Sequence, residues 1–236
     1  MKIDVAFLPK DTFQMNLADT TCIVLDIFRA TSSIVTAFAN GCKRITPVLS
    51  IEEARSLSGT SGGALLAGER QSIKMEGCDL GNSPFEFCRS TVEEQSIIMT
   101  TSNGTVAIRS TDGAYRTLIG SFINAQAVCR KAWQYKKDIL IICAGTDGLF
   151  SLEDSLCAGL LVQLFSREGE SERTDSARGA WLMYEQSRGV LTETAAQSRN
   201  GKRLYTIGRT EDIKYCLSNN LHDIIPQYKD GTIVLD

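Results

Sequence analysis

Four short runs of this 236-residue chain, at 22–25, 64–68, 96–101 and 138–144, are apolar almost without interruption. A strand with one wet face alternates apolar and polar residues, whereas a run that does not alternate is covered on both faces. Three of the runs, and a fifth candidate strand at 43–49, lead into helical patterns at 34–39 (closed by Gly41), from Ser50 onward, at 106–108 and at 151–165. Parallel neighbours need long crossovers, and helices supply them. The expectation is therefore an α/β chain, a three-layer α/β/α architecture with a mostly parallel, or mixed, central sheet.

The remaining pattern is less regular. A strand is expected at 3–8 and a helix capped by Ser121 running to 135. Glycine- and serine-rich loops are expected at 59–63 and, more extended, at 74–87. Residues 166–178 are dense in charge and poor in apolar side chains, and read as an exposed loop or hinge within a single domain spanning 1–236. Beyond it come helices at 180–186, 193–198 and 211–217, the last capped by Thr210, and strands at 203–207 and 232–235.

Composition narrows the class. Hydrophobic residues make up 43% and charged residues 22%, which suits a globular chain. A net charge of −3 without a basic run opposes nucleic-acid binding. The first apolar segment contains Asp4 and lacks a signal-cleavage pattern, and no run is long enough to span a bilayer, so neither a membrane partner nor export is expected. Eight cysteines without a C-x-x-C pair, several inside apolar runs, read as buried thiols of a cytoplasmic protein. Oligomeric state is left open, a homo-oligomer included.

In open parallel sheets, ligands bind outside the carboxyl ends of the strands. Four strand ends here are polar: Asp26 with Arg29 and Ala30-Thr31-Ser32-Ser33; Glu69-Arg70; Thr100-Thr101-Ser102-Asn103-Gly104-Thr105; and Gly145 to Asp154, which includes Asp147 and Glu153. Pooled on one edge, they supply carboxylates, two arginines, hydroxyls and the N–H groups of helix starts. That mixture suits a small phosphorylated anion and a hard divalent cation such as Mg2+. Local duties compete with this reading. Thr31, Ser32 and Ser33 fit helix capping, Glu69-Arg70 an exposed pair, and Ser151-x-x-Asp154 a capping box. Glu153 and Asp147 have no such duty.

Familiar machinery is missing. The one histidine, His222, excludes a His-rich metal site and disfavours a histidine triad. There is no G-x-x-x-x-G-K-[ST] loop and no G-x-G-x-x-G fingerprint. Six residues separate Cys22 from Arg29, one too many for a cysteine-phosphatase loop. Phe28 stands where a dehalogenase-type phosphatase carries its second aspartate.

Leu25-Asp26-Ile27-Phe28-Arg29-Ala30-Thr31-Ser32-Ser33, Leu66-Ala67-Gly68-Glu69-Arg70, Gly81-Asn82-Ser83-Pro84, Thr100 to Thr105, and Gly145-Thr146-Asp147-Gly148-Leu149-Phe150-Ser151-Leu152-Glu153-Asp154 together resemble the ComB family of 2-phosphosulfolactate phosphatases. Ser102 replaces the third threonine of the family's usual run. The resemblance extends to about Gly208. It implies a magnesium-dependent acid phosphatase converting 2-phospho-3-sulfolactate to sulfolactate and phosphate, a step of coenzyme M biosynthesis, on an unusual α/β/α fold.

On that reading Asp26, Arg29 and Arg70 are the candidate catalytic residues. Ala30, Thr31, Ser32, Ser33, Ser102, Asn103, Gly104 and Thr105 would bind the substrate anions. Magnesium would be held by Asp26 with some of Glu69, Asp147, Glu153 and Asp154. The nucleophile is either water or Asp26 itself; water is favoured because the second aspartate is missing. A phosphohydrolase for another phosphorylated 2-hydroxy acid, or a non-catalytic sensor of such acids, would use the same residues.

Overall fold

The computed structural model describes residues 1–60 and 63–235. Among these, eleven strands form one sheet: β1 (Lys2–Ala6), β2 (Thr20–Leu25), β3 (Arg44–Pro47), β4 (Leu65–Arg70), β5 (Ile73–Lys74), β6 (Ser96–Thr100), β7 (Arg116–Gly120), β8 (Asp138–Cys143), β9 (Glu172–Arg173), β10 (Pro226–Lys229) and β11 (Thr232–Leu235). The helices are α1 (Ala30–Ala39), α2 (Ile51–Thr60), α3 (Arg89–Val92), α4 (Gly104–Arg109), α5 (Ala125–Gln134), α6 (Leu152–Glu168), α7 (Asp175–Ser187), α8 (Leu191–Ala196), α9 (Arg199–Thr206) and α10 (Thr210–Cys216).

The sheet order is β5-β4-β6-β3-β11-β10-β7-β2-β8-β1-β9. Two parallel blocks, β4-β6-β3 and β7-β2-β8-β1-β9, are joined through the antiparallel β10–β11 hairpin. Three antiparallel steps make the blocks run in opposite senses, yet Asp26 beyond β2 and Glu69 in β4 line one cavity. The sheet must therefore curve enough to bring carboxyl ends from both blocks to one place.

Helix α1 occupies the space between the blocks. Every residue from Ala30 to Phe38 is buried, as expected of a helix apolar or small on all sides. Ile34, Val35 and Phe38 share a core with Val24 of β2, Ile45 of β3, Met99 of β6 and Ile233 of β11. On the outer face of the second block, Ile23, Leu25, Ile139 and Ile141 pack against α5, α6 and α7 through Val128, Leu161, Phe165 and Ala180. Successive residues of β2 thus serve opposite faces, the period-two rule of a strand covered on both sides. The three-layer α/β/α expectation is borne out.

Several local expectations change. Strand β7 was not anticipated, because only Leu118 and Ile119 of its five residues are bulky and apolar; β10 carries a single aromatic and begins with proline. Residues 203–207 form no strand: Ser198 caps a helix there, accepting the Gly201 N–H at 2.9 Å. Residues 166–170 are exposed, but the 166–178 segment is mostly ordered into the end of α6, β9 paired with β1, and the start of α7. Helix α10 has Arg209, not Thr210, at its cap position. The loop expected at 59–63 meets the end of α2 at Thr60, and residues 61–62 lie outside the described residues. All eight cysteines are free and all but Cys88 buried; burial pushes the Cys22 and Cys42 thiols up to about 12. Among the described residues no helix is long and apolar enough to cross a membrane.

Two glycines test the outer layer. A Cβ on Gly159 of α6 would stand 2.1 Å from the Ala180 carbonyl oxygen of α7, while one on Gly179 would meet nothing within 4 Å. Alanine normally stabilises a helix interior by about 1 kcal/mol over glycine. Gly179→Ala is expected to show that gain in urea unfolding. Gly159→Ala should lose about 1–3 kcal/mol, because overpacking against backbone outweighs it; equal shifts for the two would show that α6 and α7 do not pack this closely.

Candidate active site

The turn between β2 and α1 is buried, so its backbone polar groups must find partners inside the protein. The Asp26 N–H donates to Thr31 Oγ1 at 3.0 Å, and that hydroxyl donates to the Asp26 carbonyl at 3.1 Å. Ser32 Oγ donates to the Ile27 carbonyl at 3.1 Å and lies 2.8 Å from Ser121 Oγ. Ser33 Oγ donates to the Asn82 carbonyl at 2.8 Å. The three hydroxyls expected to meet substrate are engaged in holding the turn. The β6–α4 turn repeats the device: the Thr105 N–H donates to Thr101 Oγ1 at 3.0 Å and the Thr105 hydroxyl to the Thr101 carbonyl at 3.1 Å.

The two turns abut. A Cβ on Gly104 would stand 2.5 Å from the Ala30 Cβ and 2.7 Å from Asp26 Oδ2, so only glycine lets the starts of α1 and α4 close on the carboxylate. Asp26 Oδ1 accepts the Ala30 N–H at 3.4 Å. Glu69 links two further loops, accepting the Ser102 N–H on Oε1 and the Ser72 N–H on Oε2, each at 2.7 Å.

Both predicted arginines are tied. Arg29, 3% exposed, pairs with Asp212 of α10 at 2.6 Å and donates to the Ser72 carbonyl at 2.7 Å; its Nε has no partner. Asp212 also accepts the Ser83 hydroxyl at 2.9 Å. Arg70 donates to its neighbour's carbonyl, that of Glu69, at 2.7 Å and to Thr100 Oγ1 at 3.0 Å.

The candidate metal carboxylates divide into two groups. Asp26, Glu69 and Glu153 are all buried, and the charges of the two glutamates act on Asp26. Asp154, also buried, receives the Ile27 N–H at 2.8 Å and the Gly145 N–H at 3.2 Å, so both its oxygens join the ends of β2 and β8; its own N–H is capped by Ser151, as the capping-box pattern anticipates. Asp147 lies apart at the rim, 41% exposed, paired with Arg203 at 2.8 Å. Among the described residues, no three carboxylate, thiolate or imidazole groups stand at metal-ligand spacing.

Electrostatics marks the buried group as short of positive charge. Burial first, then the charge of Glu69 and, less, that of Glu153, raises the Asp26 carboxyl to about 7. Burial also raises Glu153, although Ser198, Ser151 and Asn200 bond to it, and one of its oxygens, Oε2, has no partner. Asp154 stands well above the ordinary carboxylate range through burial and the charges of Glu153 and Asp26.

A cavity of about 10 Å3 is lined by Asp26, Phe28, Glu69, Ser72, Asn82, Ser102, Asn103, Asn200 and Arg203. Asn82, Asn200, Arg203 and Asp212 were not singled out for the site from sequence. Asn82 lies within the Gly-Asn-Ser-Pro block, a signal that was available; Arg203 was placed in a strand and Asp212 in an ordinary helix. A larger cleft of about 440 Å3, between Thr111–Thr117 and Gln227–Gly231, lies at the amino-terminal end of β7, away from these carboxylates.

Two measurements probe this arrangement. Removing one partner of a buried pair strands the other charge, so Asp212→Ala is expected to cost about 3–5 kcal/mol in urea unfolding; a loss below 1 kcal/mol would mean that Arg29 finds water or another anion. The second concerns pH. Because the folded-state Asp26 carboxyl titrates near 7 and the ordinary value is 3.8, the native state keeps a proton that the unfolded chain has lost. Without divalent cation, stability should fall as pH rises from about 4 to about 7 and level off above. Asp26→Asn should flatten part of that slope, being the more stable protein at pH 8 but not at pH 4; parallel pH curves would remove Asp26 as its source.

Comparison with known proteins adds lineage to geometry. A family model described as 2-phosphosulpholactate phosphatase matches residues 6–231. A probable 2-phosphosulfolactate phosphatase of Clostridium beijerinckii is 36% identical over 241 residues, covering 100% of both chains. Proteins of the same name from Clostridium acetobutylicum and Clostridium tetani are each 37% identical, covering 99% of this chain and 100% of theirs. With blocks from every strand end of the site inside the matched span, the chain belongs to the 2-phosphosulpholactate phosphatase family.

Proposed function

We propose that this protein is a magnesium-dependent phosphatase that hydrolyses 2-phospho-3-sulfolactate to 3-sulfolactate and inorganic phosphate, a step of the coenzyme M biosynthetic type. The observation that carries this reading is the group of buried carboxylates at the converging strand ends, with Asp26 raised to about 7. Such a group repels a phosphate unless a cation stands between them.

The donor set fits magnesium. Asp26 and Glu69 in the lining and the buried Glu153 offer hard oxygen atoms, and among the described residues that line the cavity there is no histidine or cysteine. Magnesium keeps several waters and takes one or two carboxylates together with substrate phosphate, so a complete protein cage is not required. Asp26 would hold it, joined directly or through water by Glu69 or by the unpartnered Glu153 Oε2. When bound, it supplies Lewis-acid polarisation of the phosphoryl group and offsets charge on the reacting oxygens.

The chain's own groups do the rest. Arg29 is held by Asp212 and Ser72, and in this reading it fixes the β2–α1 turn rather than clamping phosphate. Helix α1, ten residues long, turns its positive end toward Asp26 and favours negative charge there. Water attacks phosphorus as the bond from phosphorus to the C2 oxygen breaks, and a proton passes to the departing alkoxide. Asp154 and Glu69 keep the turns from shifting, since each ties two segments of backbone. Phosphate-monoester hydrolysis demands up to ~10²¹-fold acceleration, which no one of these devices supplies alone.

The test is phosphate release with and without magnesium from phosphosulfolactate, phospholactate and phosphoglycerate. Magnesium-dependent release with preference for phosphosulfolactate is expected, and Asp26→Asn should abolish it with the fold intact. Binding without turnover would instead indicate a sensor. Turnover of a substrate made chiral at phosphorus should invert its configuration, as one in-line attack by water requires; retention would replace water attack by an aspartyl-phosphate route.

A further inference from the structure

Among the described residues that line the cavity, Arg203 is the one lysine or arginine. Its neighbours there are two carboxylates, Asp26 and Glu69, and neutral side chains. Arg29 and Arg70 lie outside that lining and point their Nη groups at Asp212, Thr100 and main-chain carbonyls. A substrate bearing both a phosphate and a sulfonate needs a second positive site beyond a cation held by Asp26.

Arg203 is available for that role. Its Nη2 bonds Asp147 Oδ2 at 2.8 Å and its Nη1 bonds Asn200 Oδ1 at 3.3 Å. Asn200 fixes α9 to the β2–α1 turn by donating from Nδ2 to the Phe28 carbonyl at 2.9 Å. Asp147 is different: it is 41% exposed, sits on a turn with φ of +54°, and belongs to no helix or strand. An ion pair so wet is weak, and exchanging its carboxylate for another anion costs little. The cavity, about 10 Å3, holds no more than one water. A three-carbon acid with two strong anions enters only if a lining side chain gives way, and the Arg203–Asp147 pair, 24% and 41% exposed, is a contact at the rim that can open.

Resting on the phosphatase reading above, we propose that Arg203 is a specificity-determining residue that binds the sulfonate of the substrate, and that Asp147 occupies its guanidinium until the sulfonate displaces it. A sulfonate stays ionised and offers three acceptor oxygens, which the planar guanidinium meets as it meets a carboxylate or phosphate.

The experiment compares Arg203→Met and Arg203→Lys with wild type on phosphosulfolactate and on phospholactate, which keeps the phosphate and carboxylate but lacks the sulfonate. In Arg203→Met, kcat/KM for phosphosulfolactate should fall ~10- to 100-fold, mostly through KM, with a far smaller change for phospholactate. Arg203→Lys should recover part of the loss. Equal losses on both substrates, or none, overturn the assignment. Calorimetric titration with 3-sulfolactate, against lactate as control, reads the same contact without turnover and should weaken at least tenfold in Arg203→Met. If wild type binds 3-sulfolactate through Arg203 yet releases no phosphate from either substrate, the phosphatase reading falls and the sulfonate site stands. Should Arg203→Met fail to fold, Asp147→Asn decides: a several-fold lower KM for phosphosulfolactate supports the exchange, and a higher KM overturns it.

Discussion

Nearly everything in this fold answers to one requirement, that the buried turn from Asp26 to Ser33 satisfy its own hydrogen bonds without water. Thr31 and Ser32 return to the backbone of Asp26 and Ile27, Asp154 arrives from α6, Asn200 from α9 and Asp212 from α10. Each bond is worth roughly 1 kcal/mol net, but a stranded partner costs more. Segments distant in sequence are thus obliged to meet at one short turn, and the site is the by-product of that meeting.

The same burial sets the chemistry. Carboxylates taken out of water beside one another resist ionisation, which is why Asp26, Glu153 and Asp154 all shift upward. Structural and reactive duties are divided within the cluster. Asp154 has both oxygens on amides, Glu69 shares its charge with two loops, and Glu153 retains an unsatisfied atom. Local strain toward a positive partner is therefore built into the turn before any ligand is considered.

Much of this was legible from sequence because strand ends announce themselves. Uninterrupted apolar runs located β2, β4, β6 and β8, and the abrupt charge at their ends located Asp26, Glu69 and the Gly145–Asp154 loop. What escaped was whatever depended on partners far along the chain. Nothing around Asp212 reveals that it neutralises Arg29, 183 residues away, and residues 203–207 pass for a strand until Ser198 is seen to cap a helix. Thr31, Ser32 and Ser33 stand beside the buried carboxylates, but their hydroxyls bond the backbone and, for Ser32, Ser121 as well, a distinction that only explicit hydrogen-bond partners can make. Strand β7 was missed because a central position in a sheet, not its own composition, makes RTLIG extended.

The hairpin β10–β11 carries a consequence for how the molecule is made. Among the described residues it is the only run of strand pairing that joins the two parallel blocks, and it is assembled from the last of them. While a ribosome is still synthesising residues before 226, the edges of β3 and β7 have no partner to pair with on that side, and both are open to other strands. Closure waits for contacts such as Ile233 with Ile45, which lie far apart in sequence. Folding should accordingly be slow for its size, and the open edges of β3 and β7 should stay prone to aggregation until the hairpin docks.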